Sequence, residues 1–181
     1  MNIFTWLYYY CPIWLMAAAV GLAIVLVSLV ARCMRGREGL FKFVLWVVFG
    51  AWVLGCLWLA IFSRDAGSVR EISWIPLAKY FEADEYYRYE YSRGYLMNAL
   101  LFVPMGLVVP FLVDSGKGKK PGKVVGFSCL VALGLSFMTE CLQCFFGLGY
   151  AEVDDLIFNT LGAGIGCLGY VVYRWMKRSL K

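Results

Sequence analysis

Long apolar stretches separated by short polar segments dominate the pattern of this chain. They cover residues 13–31, 43–62, 95–113, 124–146 and 156–173. Each is close to the roughly 20 residues that an α-helix needs to cross the hydrocarbon of a bilayer. Because backbone groups in lipid must be hydrogen-bonded within the segment, the stretches predict helices rather than open strands. The expected fold is all-α, a polytopic membrane helical bundle of about five transmembrane helices.

Charged residues between the stretches predict how the chain lies in the membrane, because short cytoplasmic loops accumulate Lys and Arg. Such clusters follow the first, third and fifth stretches: Arg32, Arg35, Arg37 and Lys42; Lys117, Lys119, Lys120 and Lys123; and Arg174, Lys177, Arg178 and Lys181. The loop of residues 63–94 instead carries five basic and six acidic residues. The pattern therefore predicts an extracytoplasmic loop, with the N-terminus outside and the C-terminus inside.

This orientation divides the chain into three parts. Residues 1–62 would hold two N-terminal transmembrane helices, residues 63–94 the extracytoplasmic loop, and residues 95–181 three further transmembrane helices. Within the loop, residues 80–95 (YFEADEYYRYEYSRGY) are rich in Tyr and alternating charge. Two interpretations of this segment stay open, an interfacial lid over a site and a solvated connector.

Composition supports a membrane protein and argues against nucleic-acid binding. The chain is 62% hydrophobic and 16% charged, which leaves too little polar surface for a soluble globule. Its net charge of +5 comes with 17 Lys and Arg, of which twelve are the cytoplasmic residues named above. Membrane insertion and anionic lipid headgroups account for those. Membrane lipids are thus the predicted partners; the oligomeric state is not predicted.

The residue types present limit the chemistry of any site. The absence of His removes the commonest general base and the Ser-His-Asp triad. Cys141 and Cys144 form a C-x-x-C, but their apolar helical surroundings favour packing over thiol chemistry. Carboxylates, amides, Arg, Lys and hydroxyl groups remain. No cofactor is predicted, although paired acids would suit a hard divalent cation such as Mg²⁺ or Ca²⁺.

Several polar residues lie within or beside the apolar stretches, where charged groups are costly and usually functional. Glu140 and Gln143 are about 60° apart on one helical face of the fourth stretch. Asp155 and Asn159 share a face of the fifth, and Asp154 precedes them. Under the predicted orientation these residues lie at one membrane level, which marks a candidate site.

Small residues continue the polar face of the fifth stretch. Gly162 and Gly166 lie within about 60° of Asp155 and Asn159, so a neighbouring helix can approach closely there. On the third stretch, Asn98, Phe102 and Met105 share a face, with Asn98 at the outer end. The third and fifth stretches are therefore expected to place their polar ends together.

The polar residues have two interpretations. They form a structural clamp that fastens the last three helices, or a substrate or ion site open to the extracytoplasmic leaflet. Asp154 has a local alternative, because an acidic residue at a helix N-terminus favours the helix dipole. A buried Glu140 needs a partner, for which Arg64, Lys79 and Arg93 are the candidates.

Three runs of residues, in this order and spacing, resemble the VanZ family, known from glycopeptide resistance. They are NALLFVPMG at 98–106, ECLQ at 140–143 and EVDDLIFNTLGAGIG at 152–166. FSR at 62–64 and WIPL at 74–77 are similar to weaker upstream elements of the family. The resemblance covers roughly residues 62–170.

The resemblance implies a small multi-pass protein of the bacterial plasma membrane, whose best-known members lower susceptibility to teicoplanin more than to vancomycin. The family's polar positions map onto Arg64, Asn98, Glu140, Gln143, Asp155 and Asn159. This chain departs from the family in having SWIPL at residues 73–77, where Asn-Leu-Ile-Pro-Phe is usual. It also lacks the Arg often found near Gly149, and Glu152 stands in place of an Asp.

Two function hypotheses from different classes follow. The first is a membrane enzyme acting on a lipid-linked envelope molecule, with the acid or base drawn from Glu140 and Asp155 and the substrate bound by Arg64, Asn98, Gln143, Asp154 and Asn159. The second is a non-catalytic envelope protein that occupies or sequesters the target of a lipidated glycopeptide. Transport is a minor alternative, since about five spans show no evident inverted repeat.

Overall fold

Long helices make up most of the described chain. The computed structural model describes residue 30 and residues 37–58, 72–114 and 120–179. These contain α1 (Glu38–Leu57), β1 (Ile72–Ser73), α2 (Ala78–Glu82), α3 (Glu85–Val113), α4 (Pro121–Phe146), β2 (Ala151–Glu152) and α5 (Val153–Ser179). The four long helices are long and apolar enough to cross a membrane. The all-α prediction is confirmed; the first apolar stretch, apart from residue 30, and Arg64 lie outside the described residues.

The helices extend beyond the apolar stretches that predicted them. α3 begins at Glu85 rather than at residue 95, and α5 ends at Ser179 rather than at residue 173. Hydropathy marks only the part of a helix suited to lipid, whereas polar residues continue it at both ends. Glu85 in the first turn of α3, and Lys177 and Arg178 in the last turn of α5, also complement the helix dipoles. The division of the chain into three parts stays a prediction.

α3 and α5 are packed so closely that their backbones are in contact. An added Cβ at Gly162 would lie 1.9 Å from the carbonyl oxygen of Ala99, and one at Gly166 would lie 2.1 Å from that of Val103. Conversely, a Cβ at Gly106 of α3 would lie 1.8 Å from the carbonyl oxygen of Ala163 in α5. The close approach predicted along the glycines of α5 is therefore confirmed.

Side chains from α3, α4 and α5 form the core around this contact. Phe102 and Met105, predicted to share a face of α3, pack in one buried cluster with Ala132 of α4 and Ala163 of α5. A second cluster brings Leu45 of α1 against α3 and α5. α1 and α4 thus pack against the pair formed by α3 and α5.

The segment between α1 and α3 is attached to the beginning of α5. β1 pairs in parallel with β2, so that Ile72 faces Ala151 and Ser73 faces Glu152. Leu77, just before α2, has a φ of 59°, in the left-handed region that costs a side-chain-bearing residue free energy. The pairing places residues 72–84 beside the polar end of the bundle.

Replacing Trp52 by Phe is expected to weaken the attachment of α1 to α3. The indole Nε1–H of Trp52 donates to the carbonyl oxygen of Leu101 at 2.9 Å, a bond worth about 0.5–1.5 kcal/mol. Trp52→Phe retains an aromatic ring but loses this donor, so the thermal midpoint in detergent should fall. Trp46, 59% exposed on the same helix, provides the control. Equal midpoints for Trp52→Phe and Trp46→Phe would contradict the expectation.

Candidate functional site

Polar side chains from α3, α4 and α5 collect at the end of the bundle where α5 begins. The sequence-predicted members form what is here called the polar cluster: Asn98, Glu140, Gln143, Asp154, Asp155 and Asn159. Glu140, Gln143, Asp154 and Asn159 are buried, and Asp155 is half-buried. The remaining predicted residue, Arg64, lies outside the described residues.

Asp154 holds the segment before α3 in place. Its Oδ1 accepts the backbone N–H of Leu77 at 2.9 Å, and its Oδ2 accepts the hydroxyl of Tyr95 at 3.0 Å. The side chain is 3% exposed. Besides its position in the first turn of α5, where it favours the helix dipole, Asp154 therefore joins three elements and supports the left-handed backbone at Leu77.

Asp155 and Asn98 connect α5 to α3. The Nδ2 of Asn98 donates to Oδ1 of Asp155 at 2.6 Å, a short distance of the kind made when the acceptor is charged. The expected meeting of the polar ends of the third and fifth stretches is thus found. This contact lies one residue from Ala99, whose carbonyl faces Gly162.

Asn159 connects α5 to α4. Its Nδ2 donates to the hydroxyl of Ser136 at 2.9 Å, with both side chains buried. Within the described parts of the chain, the buried Oδ1 of Asn159 accepts no hydrogen bond. Sequence reasoning missed Ser136, although its position four residues before Glu140 on α4 places both on one helical face.

Glu140 is bonded to the backbone that enters α5. Its Oε2 accepts the N–H of Glu152 at 3.0 Å, and the side chain is 5% exposed. Of the cations considered as its partner, Lys79 instead pairs with Glu152, with Nζ 2.5 Å from Oε1. Lys79 also lies 3.9 Å from the ring centroid of Tyr150. α2 therefore places a cation beside Glu152.

Arg93 and Gln143 are also buried near this end of the bundle. Arg93 of α3, another candidate partner of Glu140, is 8% exposed. Gln143 is 3% exposed, and its backbone carbonyl accepts the N–H of Leu148 where α4 ends. Burial of a guanidinium in a membrane-crossing helix is costly unless it faces polar groups.

Metal binding receives no geometric support from the described chain. Among residues 37–58, 72–114 and 120–179, no three Cys, Asp or Glu side chains converge as a metal site would require. Asp154 and Glu140 are directed to separate backbone N–H groups. A bound divalent cation stays a hypothesis.

Long apolar helices, with buried carboxylates and amides joining three of them at one end, define a polytopic α-helical membrane protein with a buried polar cluster at one end of its bundle. The family model VanZ/LLP1 matches residues 43–176, from α1 to near the end of α5. The chain belongs to this family, which confirms the resemblance and places the whole polar cluster within the match. No curated protein and no solved structure matches the chain significantly.

Proposed function

We propose that this protein lowers the susceptibility of a bacterial cell to lipidated glycopeptide antibiotics such as teicoplanin, and that the polar cluster acts at the outer leaflet of the plasma membrane. Membership of the VanZ/LLP1 family supports the antibiotic class, because the best-known members of the family lower susceptibility to teicoplanin. The distribution of Lys and Arg supports the orientation, because it puts the polar cluster at the extracytoplasmic end of the bundle.

The observation that carries the proposal is the buried polar cluster between membrane-crossing helices. Polar groups there are retained at a cost in free energy, which favours a function for them. Asn159 is 7% exposed, and no described residue donates a hydrogen bond to its Oδ1. A ligand N–H or O–H that reached it would gain a hydrogen bond at a site already desolvated.

The contacts of the carboxylates favour binding over catalysis. Glu140 and Asp154 accept backbone N–H groups, and Asp155 accepts the amide of Asn98. Carboxylates used in this way hold their surroundings in position. A general acid or base would also need a proton path to a bound substrate. We therefore favour occupation or sequestration of a membrane-anchored target over turnover.

Antibiotic susceptibility of a sensitive Gram-positive host tests the proposal. Expression of the wild type should raise the inhibitory concentration of teicoplanin more than that of vancomycin. Asp155→Ala should remove most of that shift, because it leaves the amide of Asn98 without its acceptor. Glu85→Gln, an exposed carboxylate at the start of α3, should retain it at matched membrane levels. No shift with the wild type would refute the proposed function, and a shift indifferent to Asp155→Ala would move it away from the polar cluster.

Glu140→Gln separates binding from catalysis in the same assay. The amide retains an oxygen that can accept the N–H of Glu152 but cannot exchange a proton as the carboxylate can. A binding protein should keep most of its effect. Complete loss in a variant that is inserted and as stable as the wild type would favour the enzyme alternative.

A further inference from the structure

An apolar groove runs along the surface between α3 and α5. Residues 92–99 of α3 and residues 158–165 of α5 form its walls, and Leu77 and Tyr80 close it at the end nearest the polar cluster. Its volume is about 470 Å³. Seven residues of helix rise by about 10 Å, so the groove is elongated parallel to the helices.

The groove is lined almost entirely by carbon and lies in helices suited to cross a membrane. Leu161 and Ile165 on its α5 side are 54% and 48% exposed. In a bilayer, side chains exposed at this depth contact hydrocarbon. As far as the described helices are concerned, the groove therefore faces lipid chains.

The other described helices lie away from the open side of the groove. On α3, Leu101 accepts the hydrogen bond from α1 and lies about 180° around the helix from Ser92 of the groove. On α5, Asn159 faces α4 and lies about 120–160° from Leu161 and Ile165. Among the described helices, neither α1 nor α4 covers the groove, which leaves a side from which a lipid chain can reach it.

The groove is connected to the polar cluster through Asp154. Leu77 and Tyr95 both line the groove, and both donate to the Asp154 carboxylate. The Tyr95 ring stacks on Phe158, another lining residue, with ring centroids 4.6 Å apart. One end of the groove thus lies beside buried polar groups, whereas the rest offers only apolar contact.

We propose that this groove binds one acyl chain of a membrane phospholipid, with the headgroup at the end marked by Leu77 and Tyr80. Apolar walls, an opening towards lipid and a polar end match the chemistry of such an amphiphile. The inference goes beyond the proposed function, since a bound phospholipid would be part of the protein's resting state whether or not an antibiotic is present.

Photolabelling tests the inference directly. The full chain is placed in phosphatidylglycerol vesicles containing a small fraction of phosphatidylglycerol with a diazirine on one acyl chain. After irradiation, mass spectrometry locates the adducts. Labelling of residues 92–99 and 158–165 should exceed, several-fold, that of the exposed α5 surface around Leu168.

A matched pair of variants checks the assignment. Leu161→Trp should fill the groove and reduce its labelling several-fold, whereas Leu168→Trp, two turns along the same face and outside the groove, should not. Uniform labelling of all lipid-facing residues would overturn the inference. Labelling elsewhere but not in the groove would also overturn it, because another segment of this chain or a second copy would then cover it. The adduct pattern of the wild type tests the inference even if Leu161→Trp fails to fold. The test does not depend on antibiotic susceptibility, so it can fail independently of the proposed function.

Discussion

Gly162→Ala is expected to destabilise the protein severely, whereas Gly164→Ala, two residues along the same helix, is expected to be tolerated. The new methyl carbon at residue 162 would lie 1.9 Å from the carbonyl oxygen of Ala99, with the neighbouring backbone carbons at 2.6 and 2.8 Å. At Gly164 nothing lies within 4 Å. The same substitution thus meets backbone at one position and open space at the other.

The expected loss of stability is large because the backbone of α3 would have to move. Real Cβ atoms essentially never lie within 3.0 Å of such a neighbour, and the obstacle is a helix backbone that cannot rotate away like a side chain. Overpacking of ordinary cores costs about 1–3 kcal/mol, and a backbone obstacle puts this case at or above the top of that range. Gly164→Ala should be neutral or stabilising by up to about 1 kcal/mol, through helix propensity.

Thermal unfolding of the two variants in detergent, followed by tryptophan fluorescence, measures the difference. Gly162→Ala should either unfold at a much lower temperature than the wild type or give no monodisperse protein. Separation of α3 from α5 should also lengthen the contact between Asn98 and Asp155, because Asn98 adjoins the displaced Ala99. Similar midpoints for both variants would mean that the two helices are not in backbone contact.

The helical bundle and the location of the site could be predicted because they depend on patterns that repeat along the chain. Hydropathy identified the long helices, and the 3.6-residue period placed Asp155 and Asn159 on one face with Gly162 and Gly166. The structure has that face directed at α3 and α4. A face made of polar and small residues in an apolar helix has few alternatives to burial against another helix.

The partners of the buried carboxylates could not be predicted, for a physical reason. Glu140 and Asp154 accept backbone N–H groups of Glu152 and Leu77, and every residue except Pro has such a group. Which N–H is used depends on the path of the chain through β1, β2 and α2. The hydrogen bond from Tyr95 to Asp154 could not be predicted either, because an aromatic residue near the membrane interface can equally serve as an anchor.

Asp154→Ala is expected to release residues 72–84 from the beginning of α5. The substitution leaves the N–H of Leu77 and the hydroxyl of Tyr95 without their acceptor. An unsatisfied buried group costs about 1–3 kcal/mol. The left-handed backbone at Leu77 would also lose the bond that supports it. Amide hydrogen exchange in peptides covering residues 72–84 should therefore accelerate by on the order of tenfold or more.

Two variants make the result specific. Asp155→Ala removes the neighbouring carboxylate, which bonds Asn98 on α3, and should leave exchange in residues 72–84 near the wild-type rate. Tyr95→Phe removes a single donor, so that its effect should be smaller than that of Asp154→Ala. Unchanged exchange in Asp154→Ala would show that β1 pairing and the ion pair of Lys79 with Glu152 hold the segment alone. Acceleration would instead make Asp154 the residue that links the polar cluster to the wall of the groove, since Leu77 and Tyr95 line the groove and donate to its carboxylate.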